Sequence, residues 1–164
     1  MENGADQQTS DQNQQTQFII QKIYIKDLSF ETPNSPHIFT KEWKPELNLQ
    51  LSNESQRIAE NIYGVILSLT VTAKLDDQTA FLAEVQQAGI FTLDGYSDKD
   101  LEPLLGSYCP TILFPFAREI IADLVTKGGF PPLLLAPVNF DALYAQRAQQ
   151  QQQHSLAEVV EVRH

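Results

Sequence analysis

Hydrophobic and polar residues alternate in several segments of the first part of the chain. The clearest is residues 46–52, where Leu47, Leu49 and Leu51 fall on one side and polar residues on the other. This two-residue period is typical of a β-strand with one buried face. Comparable patterns, less regular in the first segment, predict strands at residues 18–30, 46–52, 62–74 and 79–93.

The connections between these segments indicate how the strands pair. Asp76, Asp77 and Gln78 form a tight link between the third and fourth strands, which predicts a hairpin. The other links contain no helix of crossover length, and parallel strands need one. The pattern therefore predicts an antiparallel four-stranded sheet.

Helical periodicity replaces the alternation after residue 96. Ser97 is a good N-cap for a short helix, and Asn139 for a last helix from Phe140 to about Gln150. Between them, a long amphipathic helix is predicted to end at Gly128 and Gly129. Its apolar stripe is expected to comprise Ile112, Leu113, Phe116, Ala117, Ile120, Ile121, Leu124 and Val125. Strands first and helices last predict an α+β fold, with the helices on one side of the sheet.

The two ends of the chain differ from the middle. Residues 1–17 are rich in Gln, Asn, Asp and Thr, cannot bury apolar surface, and are expected to be disordered. Residues 18–150 form the predicted domain. The glutamine run at residues 149–153 forms helix well and could extend the last helix outward, and residues 151–164 are expected to be a flexible tail.

Composition narrows the class of protein. The chain has 164 residues, with 11 basic and 21 acidic side chains and a formal net charge of −10. This balance argues against nucleic acid or an anionic membrane as a partner, because both select clustered Lys and Arg. No signal peptide is visible, and no apolar run reaches the roughly 20 residues that span a bilayer. A cytoplasmic protein without membrane insertion is expected.

A search for catalytic residues finds little. Cys109 is the only cysteine, and its position near a helix start could lower the pKa of the thiol, although a buried core cysteine is the simpler interpretation. His154 and Glu158 are spaced as metal ligands on a helix, but two exposed ligands make a poor site. We therefore expect no enzyme, no metal and no cofactor.

Two sets of residues remain as candidates for binding. Asp27, Glu31 and Glu84 would form an anionic patch if they share a sheet face, although scattered solubilising charge is the simpler interpretation of their spacing. The aromatic residues around Trp43, together with the apolar loop at residues 130–137, could line a groove. Ordinary core or subunit contact explains them equally well.

Three segments of the sequence resemble the bacterial protein-export chaperone SecB family. They read FIIQKIYIKDLSFETPNSP from residue 18, AFLAEVQQAGIF from residue 80 and CPTILFPFAREIIADLVTKGGFPPLLLAPVNFDALY from residue 109. The resemblance extends over about residues 18–145. It implies a four-stranded antiparallel sheet with helices on one side, assembled as a dimer of dimers, hence a homotetramer. The implied function is an ATP-independent holdase that binds unfolded precursor polypeptides and delivers them to the SecA ATPase.

The resemblance also implies roles for individual positions. Those matching the SecA-binding face are Asp27, Glu31, Leu82 and Glu84, and those matching tetramer assembly are Ala83, Val85 and Gln87. Aromatic placement suggests client-binding groove walls at Phe30, Phe39, Trp43, Phe140 and Leu143. A related chaperone that serves another client, such as an antitoxin, stays open as an alternative, as does a small enzyme that uses Cys109.

Overall fold

The computed structural model describes residues 15–161, and side-chain burial for residues 15–157. Four antiparallel strands form one sheet in the order β1-β4-β3-β2, so β1 and β2 are its edges. The strands are β1 Gln17–Glu31, β2 Glu46–Ala59, β3 Ile62–Leu75 and β4 Gln78–Asp94. The predicted α+β class, strand number and antiparallel pairing are confirmed.

The turns that join β2, β3 and β4 are set by residues that tolerate a left-handed backbone. Asp76 and Asp77 have φ values of 47° and 65°, and Asn61 has a φ of 58°. Asn and Asp adopt this conformation more readily than other non-glycine residues. The hairpin predicted at Asp76–Asp77 is confirmed.

The predicted end of β2 at Ser52 is wrong, because the strand continues to Ala59. Its second half pairs with β3 as far as Ala59 opposite Ile62. From Glu54 onward nearly every residue of this edge strand is exposed, so no alternation marks the strand in the sequence.

The sheet has one covered and one open face. Along β4, odd-numbered residues such as Phe81, Ala83 and Val85 are buried, whereas Leu82 and Glu84 are not. We call the buried side the inner face and the other side the outer face. The core fills the space between the inner face and the helices, and its largest fully buried side chains include Phe81, Phe91, Leu67, Leu69, Leu113 and Ile121.

The helical part begins with α1, Asp98–Pro103, whose N-cap Ser97 accepts a hydrogen bond from the Asp100 amide at 3.3 Å. A π-helical turn, Leu104–Tyr108, leads directly into α2, Cys109–Lys127. A short 3₁₀ helix, His37–Thr40, lies between β1 and β2 and buries Ile38.

The predicted stripe of α2 needs a correction. Phe116 is 46% exposed, whereas Phe114, which was left out of the stripe, is 5% exposed. The buried positions recur every four residues from Cys109 through Leu113 and Ala117. Phe114 turns toward the last helix, where its ring is 5.8 Å from that of Phe140. Packing against a second helix determines which phenylalanine is buried. The apolar period of α2 alone carries no information about that contact.

The last helix, α3, is Phe140–Glu161, so its predicted end near Gln150 is also wrong. Asn139 caps it as predicted, its side-chain oxygen accepting from the Ala142 amide at 3.0 Å. The side chains at residues 149–157 are exposed. Glutamine forms helix well without any core contact, which explains the extension. The disorder predicted for the head falls mainly on residues 1–14, outside the described residues, and Gln17 already belongs to β1.

Candidate binding surfaces

The outer face of the sheet brings the predicted acidic residues together. Glu31 lies opposite Leu82, and the β1 residue opposite Glu84 is Ser29. Asp27 is opposite Gln86, one pair further along. Residues paired across strands point to the same side of a sheet. Asp27, Glu31, Leu82 and Glu84 therefore form one surface, which we call the acidic face.

The carboxylates of the acidic face are exposed. Ser29 donates a hydrogen bond to the Glu84 carboxylate at 3.4 Å, and a depression of about 140 Å³ separates Asp27 from Glu84. The ion pairs found among residues 15–157 involve Lys44 and Lys127, on other parts of the surface. Among the described residues the carboxylates of the acidic face form no ion pair, so they can attract a basic partner.

Aromatic side chains gather at one end of the molecule, where the β1–β2 connection meets the apolar loop. The ring of Phe130 is 5.0 Å from Phe39, 5.3 Å from Trp43 and 5.2 Å from Phe81. Phe30 stacks on Phe81 at 5.8 Å. We call these five residues the aromatic cluster. It unites three of the predicted groove residues with Phe81 and Phe130.

The aromatic cluster is only partly covered. Phe39 is 48% exposed, whereas Phe130 is 5% exposed. The apolar loop is similarly divided, because Leu135 is buried and Leu134 is 72% exposed. Some of these apolar residues therefore complete the core, and others present apolar surface to solvent.

The other two predicted groove residues, Phe140 and Leu143, lie elsewhere. They line a groove of about 630 Å³ between β2 and α3, which we call the β2–α3 groove. Phe140 is 5% exposed and mainly supports the groove from the core. Leu51 and Leu67 of the sheet, with Leu105, add apolar lining.

Sequence reasoning missed the polar side of the β2–α3 groove. Asn53 donates from its side chain to the Leu105 carbonyl at 3.0 Å, while its side-chain oxygen is buried without a hydrogen-bond partner. Arg147 and Gln151 line the groove from α3. Almost a hundred residues separate Asn53 from Arg147, so no local pattern links them. Alternation in β2 marks Leu51 but carries no information about the helix that faces it.

The predicted assembly residues lie inside the single chain. Ala83, Val85 and Gln87 are exposed by 0%, 1% and 2%, on the inner face of β4. Gln87 donates from its side chain to the Tyr24 carbonyl at 3.0 Å. None of the three offers side-chain surface to another copy, so any effect on assembly has to be indirect, through the elements that these side chains contact.

Cys109 is unsuited to catalysis. The side chain is 0% exposed, and burial raises the pKa of the thiol to about 12. The thiolate is the nucleophilic form, so burial acts against reactivity and against the lowered pKa considered for a helix start. The small enzyme that would use Cys109 has no support in this geometry.

Much apolar surface remains at the β1 edge. Exposed side chains along this strand are Ile19, Ile20, Tyr24, Ile25 and Leu28. An unpaired edge with apolar side chains is a template for another chain. Within residues 15–161, no helix is long and apolar enough to cross a membrane. An acidic face, an apolar groove and a free apolar edge together define a protein that binds other polypeptides.

Comparison with known proteins identifies the family. The family model for the preprotein translocase subunit SecB matches residues 11–151. A protein-export protein SecB of Nitrosococcus oceani is 74% identical over 160 residues, which cover 96% of this chain and 98% of the relative. One of Methylococcus capsulatus is 56% identical over 148 residues, or 89% and 96% of the two chains. The chain belongs to the SecB family of protein-export chaperones.

A solved structure shares the fold at low identity. It is a SecB-like chaperone of Mycobacterium tuberculosis in complex with a ChAD peptide from an antitoxin. The TM-score is 0.63 and the identity 17%, over 74% of this chain and 90% of the other. At this identity the likeness concerns the fold alone.

Proposed function

We propose that this protein is an ATP-independent holdase of the cytoplasm that keeps unfolded precursors extended and delivers them to the SecA ATPase. The observation that carries the proposal is the separation of its two kinds of binding surface. The acidic face lies on the outer side of the sheet, while the β2–α3 groove and the aromatic cluster lie on the helix side. A client and a motor protein can therefore be bound at the same time.

Client binding follows from the shape and chemistry of the β2–α3 groove. Leu51 and Leu143 offer apolar contact, while Asn53 and Gln151 offer side-chain hydrogen bonds. The edge strand β2 adds unpaired backbone groups, which an extended segment can pair with whatever its sequence. Such a site selects extended apolar polypeptide over a particular sequence, as a general holdase requires.

The aromatic cluster extends client binding beyond the groove. Phe39 and Leu134 are exposed apolar side chains, and the ring of Phe39 packs against the buried Phe130. Flat aromatic rings contribute large contact areas at a low cost in side-chain entropy. Two separate apolar sites on one molecule hold a long client more tightly than either alone, because the second contact becomes intramolecular.

Assembly as a dimer of dimers is supported by two exposed apolar surfaces. The edge strand β1 exposes Ile20 and Ile25, and pairing with a second β1 would cover them. On α2, Phe116 is 46% exposed and can contact another dimer. Ala83 and Val85 would then influence assembly by fixing the position of α2 above them. Four chains carry a formal charge of about −40, which strengthens attraction to a basic partner.

The decisive experiment compares SecA binding by the wild type and two charge-reversal variants. Glu84→Lys places a cation in the acidic face, and Glu46→Lys makes the same change at the far edge strand. Glu84→Lys is expected to weaken SecA binding at least tenfold at low salt, with a smaller effect at high salt because exposed charges are screened. Glu46→Lys should change the affinity less than twofold. Equal affinity of Glu84→Lys and wild type would refute SecA docking at this face.

An aggregation assay with an unfolded precursor separates docking from client binding. Glu84→Lys should suppress aggregation as well as the wild type, because the client surfaces lie on the other side of the sheet. The alternative, an antitoxin chaperone, rests on the fold alone, whereas the high identity to export proteins favours export. Identifying the clients captured from the cytoplasm separates the two functions.

A further inference from the structure

The outer face of the sheet has a second depression, which we call the Gly64 notch. Its volume is about 310 Å³, and Tyr24, Ile58 and Ile66 contribute apolar lining. Gly64 and Ile58 both line it, and a Cβ at residue 64 would lie 3.1 Å from the Ile58 side chain, so Ile58 packs closely over this glycine.

The notch lies beside the acidic face. Tyr24 is paired through Ala88 with Ile66, and the next outer row along the strands links Asp27 with Ser68. Same-face rows are spaced by roughly 7 Å, since each strand residue rises about 3.3 Å. The notch therefore begins about 7 Å from the Asp27 row and about 14 Å from the Glu84 row.

The charges around the notch differ from those of the acidic face. Lys26 and Glu54 both line it, so their formal charges cancel. Tyr24 is 38% and Ile58 55% exposed, on the sheet face that carries no helix. The notch offers an uncovered apolar contact with no net charge, directly beside an anionic surface.

We propose that the Gly64 notch receives an apolar side chain of the same basic segment that docks on the acidic face. This inference rests on the proposed SecA docking and extends its footprint along β3. An extended segment advances about 3.4 Å per residue, so its cationic residues would lie about two to four positions from the apolar one. The acidic face attracts the cationic residues of the segment, and the notch adds an apolar contact to this charge attraction.

The test uses three full-length variants, two that alter the notch and one control that alters the outer face elsewhere. Gly64→Leu crowds the Ile58 side chain and narrows the notch, and Ile66→Ser removes apolar lining. As a control, Gln17→Leu adds the same leucine on the outer face at the end of β1, opposite Asp94 and several rows from the acidic face. Each of the two notch variants is expected to weaken SecA binding about tenfold, as loss of one buried apolar side chain does. The loss of SecA affinity in the notch variants should be similar at low and high salt, whereas the loss in Glu84→Lys should be smaller at high salt. Gln17→Leu should bind SecA like the wild type.

The other outcomes separate the two proposals. SecA affinity within twofold of wild type for both notch variants, with Glu84→Lys still weakened, would overturn the notch and leave SecA docking intact. Reduced suppression of client aggregation without a change in SecA binding would assign the notch to clients and equally overturn the inference. If Glu84→Lys binds SecA normally, SecA docking at the acidic face itself fails. Cooperative thermal unfolding of each variant checks that the chain still folds.

Discussion

At the scale of single residues, two glycines determine how closely the backbone approaches the rings of the aromatic cluster. A Cβ added to Gly128 would lie 2.3 Å from the Phe30 ring, so the ring occupies space that any side chain would take. The neighbouring Gly129 has a φ of +90°, a conformation that favours glycine, and it lies under Phe39. The backbone at the end of α2 thus approaches two rings of the aromatic cluster directly.

Gly128→Ala is expected to displace Phe30 and loosen the aromatic cluster. The backbone of Gly128 has a φ of −71°, so the effect would come from crowding and not from backbone strain. We expect a loss of about 1–3 kcal/mol in the free energy of unfolding and a shift in Trp43 fluorescence. Phe30→Leu in the same chain should recover part of the loss. Additive effects of the two substitutions in a double-mutant cycle would contradict the contact.

The buried thiol of Cys109 predicts a particular pH dependence of stability. Its pKa is raised from 9.0 to about 12 in the folded chain, so above pH 9 the unfolded state has lost the proton and the folded state has kept it. The free energy of unfolding should therefore fall as the pH rises from about 9 to 12. Cys109→Ala removes this contribution, so its stability should decline less over the same range in urea titrations. Parallel curves for wild type and variant would show that the thiol does not contribute.

Alkylation provides an independent measurement on Cys109. At pH 8 iodoacetamide should leave the native thiol unmodified and label it promptly in urea, because the thiol is both buried and protonated in the folded chain. Rapid labelling of the native protein would mean that the thiol is accessible after all.

At the scale of secondary structure, the two phenylalanines of α2 have different expected roles. Phe114→Ala empties space in the core beside Phe140 and should cost about 3–5 kcal/mol of stability. Phe116→Ala removes an exposed ring and should change the stability of the isolated fold by less than 1 kcal/mol. Under the proposed assembly it should instead shift the native mass from four chains toward two. An unchanged tetramer in Phe116→Ala would exclude this contact from the assembly.

The strands and helices show how far the sequence predicts the fold. Alternating residues give the four strands, and turn and cap residues such as Asp76 and Asn139 give several boundaries. The errors occur where burial does not follow the local period. The second half of β2 is exposed on both faces. Packing against α3 determines which phenylalanine of α2 is buried. Residues 149–157 of α3 are helical although their side chains are exposed.

The binding surfaces were predictable to different degrees. The spacing of Asp27, Glu31 and Glu84 favours scattered charge, and only the family resemblance predicts that they share one face. The β2–α3 groove and the Gly64 notch are formed by residues far apart in the chain, such as Asn53 with Arg147. No periodicity within one segment indicates which distant element will pack beside it.

At the scale of the whole molecule, β4 contributes side chains to both faces of the sheet. Phe81 belongs to the aromatic cluster, and the next residue, Leu82, belongs to the acidic face. Ala83 returns to the core, and Glu84 returns to the outer face. Because β4 is paired with β1 on one side and β3 on the other, its register, and with it this alternation, is fixed.

This alternation limits how the gene can evolve. Losing or gaining a single codon within β4 would exchange the two sides of the strand, turning carboxylates inward and aromatic rings outward. One such event would damage the core, the aromatic cluster and the acidic face together. Substitutions on one face of β4 can therefore occur without changing the other face, whereas insertions and deletions within β4 should not be tolerated.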